Sequence, residues 1–408
     1  MRYIAIPVDV RSPSNLTRLL EADPDASSAG CSGATLSFIE SLPSDVLGEI
    51  FLHLPSLASL ASVAAASCKR WRAVAGSPDF LRGFHTAKGS PPVISYVTTF
   101  FTSYPVRDNG DLNNLHAFFG AHGAAGWIVC DCRHGLLLIS QDGGAKVMAV
   151  CEPMSNIKIP IGRPAGDLYA FSYFVDRFLP AGDDDGRETF RVVSVQHDGD
   201  DWMRTAVYDH GAGAWAFRSW VAGIEAPTAS QRGLYTTLMH GAGCVYWKYP
   251  RHGRLLSLDT ATMELSVVPL PPGVSGKLPY AVGETKNAEC CLVAVSPDPA
   301  VDGGQVLQVW HQRAGGGGAA QCWELGQQVP VLELAEVAPA RHRVRCVRAV
   351  AAGVALLGLE GGGPTRSSGK HVALCLESLK VEAKFVAAGL IFLPYQMAWP
   401  PVLAIDKN

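Results

Sequence analysis

Charge is scarce in this 408-residue sequence. Lys, Arg, Asp and Glu make up 17% of it, and the formal net charge is -3, against about a quarter charged in ordinary globular domains. No global field therefore draws the chain to nucleic acid or to an anionic membrane. Long apolar runs are missing as well. Ala349 to Leu359 and Phe385 to Leu393 are broken by glycine and fall short of the roughly 18 residues that span a bilayer. The opening "MRYIAIPVDVRSPS" has neither an apolar core nor a small-residue cleavage site, so no signal peptide is expected. The 11 cysteines follow no regular spacing, which excludes a secreted disulfide scaffold and implies buried free thiols in a reducing compartment. The expected location is the cytoplasm, the nucleus or both.

Turn formers and apolar residues are abundant. The chain carries 42 Gly and 27 Pro, and 48% of its residues are hydrophobic. This is the composition of a turn-rich, strand-rich protein with a large core. Residues 1–38, with "EADPDASSAGCSGAT", are expected to form a flexible leader.

Residues 39–86 read as a helical module. Ser44 or Asp45 can cap a helix after Pro43. Val46, Leu47, Ile50, Phe51 and Leu54 then recur at helical spacing and make one apolar face. Gly48 weakens the helix by about 1 kcal/mol relative to Ala, and Pro55 stops it. Ser56 can cap a second helix with Leu57, Leu60, Val63 and Ala64 inward. A third offers Trp71 and Val74. Ser77, followed by Pro78, opens a last turn with Phe80, Leu81 and Phe84. So small a core is marginal alone and calls for a partner over its remaining apolar face.

From residue 90 to 408 the period changes to two. "RVVSVQ", "CVYWKY", "CLVAVS" and "HVALCLE" are short strands between Gly, Pro, Asp and Asn. A recurring unit can be anchored on Cys151, Tyr208, Leu258, Trp310 and Leu376, at steps of about 50 to 66 residues, the spacing of four-stranded propeller blades. The expected fold is mainly β, a kelch-like β-propeller of about six degenerate blades after the helices. One blade is placed at residues 93 to 127. A two-sheet β-sandwich is the alternative.

The helical module resembles an F-box. The residues that carry the likeness are Leu42, Pro43, Asp45, Val46, Leu47, Glu49, Ile50, Phe51, Leu54 and Pro55, then Ser59 and Leu60, Cys68, Lys69, Trp71 and Arg72, and Ser77, Pro78 and Phe80. Val46 in place of Leu, Gly48 inside the helix and His53 depart from the pattern. The remainder looks like the C-terminal domain of plant F-box proteins with kelch-like or F-box-associated β domains, through "CRHGLLLIS" and "LLSLDTATMELSVVPLPPG". The resemblance implies a non-catalytic substrate receptor of a Skp–cullin–F-box ubiquitin ligase. The Skp-type adaptor would be held by Leu42, Pro43, Val46, Leu47, Ile50, Phe51, Leu54, Pro55, Leu60 and Trp71. The adaptor would link the chain to a cullin-RING ligase, while the β domain recruits a protein substrate of unknown identity. Two alternatives stand beside it: an adaptor-bound scaffold outside the ligase, and a propeller that binds a small ligand or is an enzyme. The last would need His, Asp or Glu converging at the propeller mouth.

Other candidate chemistry is weak. In "CDCRHG", Cys130, Cys132 and His134 lack the spacing and second pair of a zinc site; alternation in a strand puts both thiols on one buried face. Cys290 and Cys291 are adjacent and point to opposite faces. "GAGAWA", Gly211 to Ala216, reads as a hairpin turn rather than a dinucleotide loop. Asp183 to Asp185 lack the ligand alternation of a calcium loop. "RHRVRCVR", Arg341 to Arg348, fits an edge strand with one charged face. No catalytic residue, metal or cofactor is expected. Trp202, Trp215, Trp220, Trp247, Trp310 and Trp323 are spread across the repeats; most should pack between blades, and one or two can line a binding face.

Overall fold

The computed structural model describes residues 42–54, 69–75, 77, 80, 83–84, 93–99, 101–106, 112–122, 126–133, 135–141, 147–153, 157–164, 175–179, 190–197, 202–224, 239–248, 253–313, 322–334, 343–360, 368–388 and 391–396. The chain divides into two compact units, Met1–Glu49 and Ile50–Asn408. The leader, the second helix with Leu60, Pro55 and the acidic run at 183–185 lie outside the described residues.

The first helix, α1, runs Ser44–Leu52. It begins where the Leu47 N–H donates to the Pro43 carbonyl at 3.0 Å. It closes on tighter bonds, from His53 to Ile50 and from Leu54 to Phe51, both 3.1 Å, the usual way of satisfying last-turn carbonyls. The next described helix, α2, spans Lys69–Ala75. Ser77 acts as the expected cap, its Oγ accepting the Phe80 N–H at 3.3 Å. Phe51 meets Trp71 and Phe80 edge-on, with ring centroids 5.4 and 5.9 Å apart.

The rest is a six-bladed propeller. Strands β1 (Val93–Thr98) and β2 (Ser103–Pro105) precede helix α3 (Leu112–His122). Blade 1 follows as β3 (Trp127–Arg133), β4 (Leu136–Gln141), β5 (Met148–Glu152) and β6 (Ile157–Ile161). Blade 2 holds β7 (Val175–Leu179), β8 (Arg191–His197), β9 (Trp202–Asp209), β10 (Ala214–Phe217) and β11 (Val221–Ala222). Blade 3 is β12 (His240–Gly241), β13 (Cys244–Lys248), β14 (Arg254–Asp259) and β15 (Leu265–Pro269). Blade 4 is β16 (Tyr280–Glu284), β17 (Cys290–Pro297), β18 (Gln305–Arg313) and β19 (Cys322–Pro330). Blade 5 is β20 (Val344–Ala351), β21 (Val354–Leu359), β22 (Ser368–Cys375) and β23 (Val381–Ala388). Each of these five blades is antiparallel, with its first strand innermost.

Blade 6 departs from the expected one at 93–127. Its innermost strand is β24 (Phe392–Gln396), paired antiparallel with β1, which pairs in turn with β2. Val97 lies opposite Leu393 and Thr98 opposite Phe392. The ring is thus closed by backbone bonds between its two ends. The stretch expected to finish this blade is instead α3, whose Leu115, Phe118 and Phe119 pack with Val97 of blade 6 and Val129 of blade 1. That i, i+3, i+4 spacing is helical and was missed in a region dominated by strands.

The core lies between blades. Separate apolar clusters join blades 1 and 2, blades 2 and 3, blades 5 and 6, and blades 6 and 1, while one continuous cluster joins blades 3, 4 and 5. Packing is tightest where β16 and β20 meet: a Cβ on Gly283 would lie 2.1 Å from the Val350 carbonyl oxygen, so only glycine fits there. Four anchors of the sequence repeat, Cys151, Tyr208, Leu258 and Trp310, fall in the third strands of their blades, and Leu376 directly follows the fifth. "GAGAWA" is a hairpin turn, with Ala214 paired to Asp209. The thiols of "CDCRHG" correct the alternation argument. A bulge between Val129 and Asp131 turns Cys130 toward blade 2 and Cys132 toward blade 6, because one extra residue reverses the facing of those after it.

Candidate functional site

The helical residues expected at the adaptor sort into two groups by exposure. Within the first unit Leu47 is fully buried, Leu42 is half-buried, and Pro43 and Val46 are exposed, Val46 by 39%. Within the second unit Phe51 and Leu54 are buried, while Ile50 and Trp71 are half-buried. Leu47 is thus interior to its unit, and Phe51 and Leu54 to theirs. Pro43 and Val46 are open to a partner, and Ile50 partly so. Burial separates what the sequence pattern treats alike.

Charged groups converge in the propeller channel. His240 of blade 3 points Nε2 at Oδ2 of Asp131 in blade 1, 3.5 Å away. Arg133 of blade 1 reaches Glu284 of blade 4, on the opposite side of the ring, at 3.7 Å. Asp131 is fully buried, and its two oxygens accept the N–H groups of Cys132 and Phe178 at 2.7 and 2.6 Å. Burial alone would raise its pKa; the His240 ring, the Arg177 charge and the Phe178 N–H together hold the carboxyl below its ordinary value. His240 shifts down, through burial first and then Arg133, against the pull of Asp131. At neutral pH the pair is a carboxylate facing a neutral imidazole.

A second cluster sits between blades 1 and 2. Arg177 Nη1 donates to the carbonyls of Cys130 and Asp176 at 2.9 and 2.8 Å. Arg163 donates to Ser140 Oγ at 2.8 Å and lies 3.4 Å from Asp176. Burial pushes the Asp176 pKa up, with Arg163 opposing. These groups tie neighbouring blades together.

Arg133, His240 and Glu284 line a cavity of about 40 Å3 with Cys132, Val350, Pro394 and Gln396, room for a few water molecules. An imidazole beside a carboxylate can serve as a base or a hydrogen-bond partner. The nearest thiol, Cys132, is held protonated by burial, well above its ordinary pKa, so it supplies no nucleophile. Among the described residues no group of three or more His, Cys, Asp or Glu is placed to hold a metal. No described helix is long and apolar enough to cross a membrane.

The profile of the family described as "F-box protein AT5G49610-like, beta-propeller" matches residues 128–345, more than half of the chain. The chain belongs to this F-box protein family. An F-box-like profile matches residues 39–84, over α1 and α2. No curated protein matched. Among solved structures, the Cps50 (Swd1) beta-propeller domain of Myceliophteria thermophila is 9% identical, covering 63% of this chain and 73% of that one, with a TM-score of 0.34. The WD40 domain of SCAP from fission yeast is 9% identical over 62% and 73%, with a TM-score of 0.27. A putative 6-phosphogluconolactonase from Bacteroides fragilis is 12% identical over 62% and 67%, with a TM-score of 0.31. Likenesses this distant carry no argument about function.

The tryptophans of this F-box protein divide sharply. Trp247 and Trp310 are buried, 1% and 7% exposed. Trp215 and Trp323 clasp neighbouring blades, their indole N–H groups donating to the Gly162 carbonyl at 2.6 Å and the Pro269 carbonyl at 3.0 Å. Trp202 and Trp220 remain open, 45% and 38% exposed, both at the outer edge of blade 2. The sequence pattern treats all six alike, because the same residue serves core, clasp and surface. In the innermost strand β20, which carries the basic stretch, bulges at Val344/Cys346 and Val347/Ala349 interrupt the expected alternation; Arg345 and the preceding Arg343 are exposed, and Val344 and Val347 are buried.

Proposed function

We propose that this chain is a non-catalytic substrate receptor of a Skp–cullin–F-box ubiquitin ligase, acting in the cytoplasm, the nucleus or both. The F-box helices hold a Skp-type adaptor, the propeller holds a protein substrate, and the ligase's partner subunits perform the chemistry. The observation that carries this reading is an F-box-like segment joined to a propeller, with Val46 left 39% exposed on α1. An apolar side chain presented on a helix beside a marginal core is the geometry of helix docking. The family resemblance supplies the partner.

The test is co-purification with a Skp-type adaptor, comparing the intact chain with Val46→Lys and, separately, Ile50→Lys. Leu47 is unsuitable for it, since a charge there would enter the module's own core. Circular dichroism checks that each variant stays folded. The reading expects the intact chain to bind and folded variants to lose binding at least ten-fold. Failure of the intact chain to bind overturns it. A cullin in the same complex separates a ligase subunit from a scaffold.

The Asp131–His240 and Arg133–Glu284 pairs favour one alternative, a small polar ligand held in the channel. Native mass spectrometry of the full chain would then show an extra mass that His240→Gln loses.

A further inference from the structure

Lys248 ends β13 half-buried, and among the described residues its amine has neither a hydrogen-bond acceptor nor a carboxylate partner. Its Nζ lies 4.4 Å from the centre of the ring of Tyr280, on the innermost strand of blade 4. The titratable groups that act on it are Cys346 and Arg348, both half-buried on β20, the innermost strand of blade 5. Neither is a carboxylate. The adjoining chain supplies none, since Lys248 to Arg254, Gly276 to Gly283 and Arg341 to Arg348 hold only basic, neutral and apolar side chains. An ammonium partly out of water, beside a like charge and without a counter-ion, is disfavoured against its free base. Burial, helped by Arg348 and opposed by Cys346, brings the pKa of Lys248 down to about 8. About a quarter of the amine is then uncharged at about pH 7.5, against about a thousandth of an ordinary lysine.

A free lysine amine is a nucleophile, and the surroundings choose among its adducts by charge. An acyl group would leave a neutral amide, and an aldehyde an imine that can take up a proton again. Neither converts the positive charge into a negative one. Carbon dioxide does. The Nζ lone pair attacks its carbon, one C–O π pair moves onto oxygen, and the nitrogen gives up a proton to water. The product is a carbamate, so a cation becomes an anion with no change of oxidation state. A negative group here is stabilised by the same guanidinium that disfavours the ammonium. Arg345 on β20 and Arg343 just before it are exposed and add to the positive field. Against this, the contact with the Tyr280 ring would be given up, because an aromatic face repels an anion.

We propose that Lys248 is a carbon dioxide site, its amine carrying a carbamate held by the charge of Arg348 among blades 3, 4 and 5. The charge of this part of the ring then follows the carbon dioxide supply. The proposal stands apart from the substrate-receptor reading, since it needs neither adaptor nor substrate.

The experiment equilibrates the full chain at about pH 7.5 with isotopically labelled bicarbonate and its dissolved carbon dioxide. Carbamates are fixed by ethylation with triethyloxonium, and the labelled lysines are mapped by peptide mass spectrometry. Lys248 should carry at least ten times the label of the exposed Lys277, Lys286 and Lys380. Arg348→Gln should lower the label on Lys248 at least five-fold, and Arg348→Lys, which keeps the charge, should restore most of it. Circular dichroism checks that each variant is folded. If Arg348→Gln misfolds, the comparison of lysines within the intact chain decides. Absence of label on Lys248, label no greater than on the exposed lysines, or unchanged label in folded Arg348→Gln overturns the proposal.

Discussion

In blades 2 and 4 the second residue of the outer strand is a tryptophan, and in both its N–H reaches a carbonyl at the outer end of the preceding blade. Beyond that shared clasp the blades diverge. In blade 4 the outer strand β19 runs on for nine residues, Cys322–Pro330, paired with β18 through Pro330. It exposes Glu324, Leu325 and Gln328 but no aromatic ring, and Arg313 pairs with Glu324 at 2.8 Å in the open, a contact of small energetic value. In blade 2 the outer strand stops at Phe217, and a two-residue strand, Val221–Ala222, resumes the pairing. Three large rings stay exposed around that break. The clasp serves the ring and recurs. The exposed rings contribute little to the ring's stability and, among the described residues, occur in this one blade.

Three measurements sharpen or break the contrast. The largest effect is expected at Trp247, 1% exposed inside the cluster of blades 2 and 3. Trp247→Ala should cost about 3–5 kcal/mol in denaturant unfolding, whereas Trp220→Ala should change stability by no more than about 0.5 kcal/mol. Similar losses at the two sites would show that the open ring is structural after all.

Acid should act through the packed layer and spare the open surface. His371 is 2% exposed, stacks on Phe385 and packs at a tilt against Phe392. Burial first, then Arg348, brings its pKa down to about 4, against the pull of the Gly369 carbonyl. Because the unfolded chain takes up the proton first, this contribution is complete above about pH 6.5 and is lost as pH falls toward 4, up to about 3 kcal/mol. His371→Phe should flatten that part of the pH–stability curve; an unchanged curve would remove His371 as the cause.

The smallest effect compares the clasps themselves. Trp215→Phe and Trp323→Phe should each cost about 1 kcal/mol, the value of one hydrogen bond. Clearly unequal losses by thermal melting would mean that the two blades are not built alike.

Much of the architecture was legible because it is local. Val46, Leu47, Ile50, Phe51 and Leu54 follow the helical period, and Cys151, Tyr208, Leu258 and Trp310 recur in third strands. The sixth blade was legible in number but not in composition. Its inner strand lies about 300 residues from its partner β1, and local period says nothing about which distant strand completes a sheet. The bulge at Val129–Asp131 reversed Cys130 and Cys132, since alternation fails wherever one residue is inserted. His240 and Asp131 stand on strands of different blades, and no spacing in the sequence relates them.

The sequence by itself determined the helical F-box segment, the strand-rich remainder and the repeat that makes six blades, because neighbouring side chains alone set helical and alternating periods. The tertiary structure alone decided how the ring closes, which charges meet in the channel and which tryptophans are left open. Those depend on contacts between distant strands, and burial is a property of the assembled blades rather than of any residue within them.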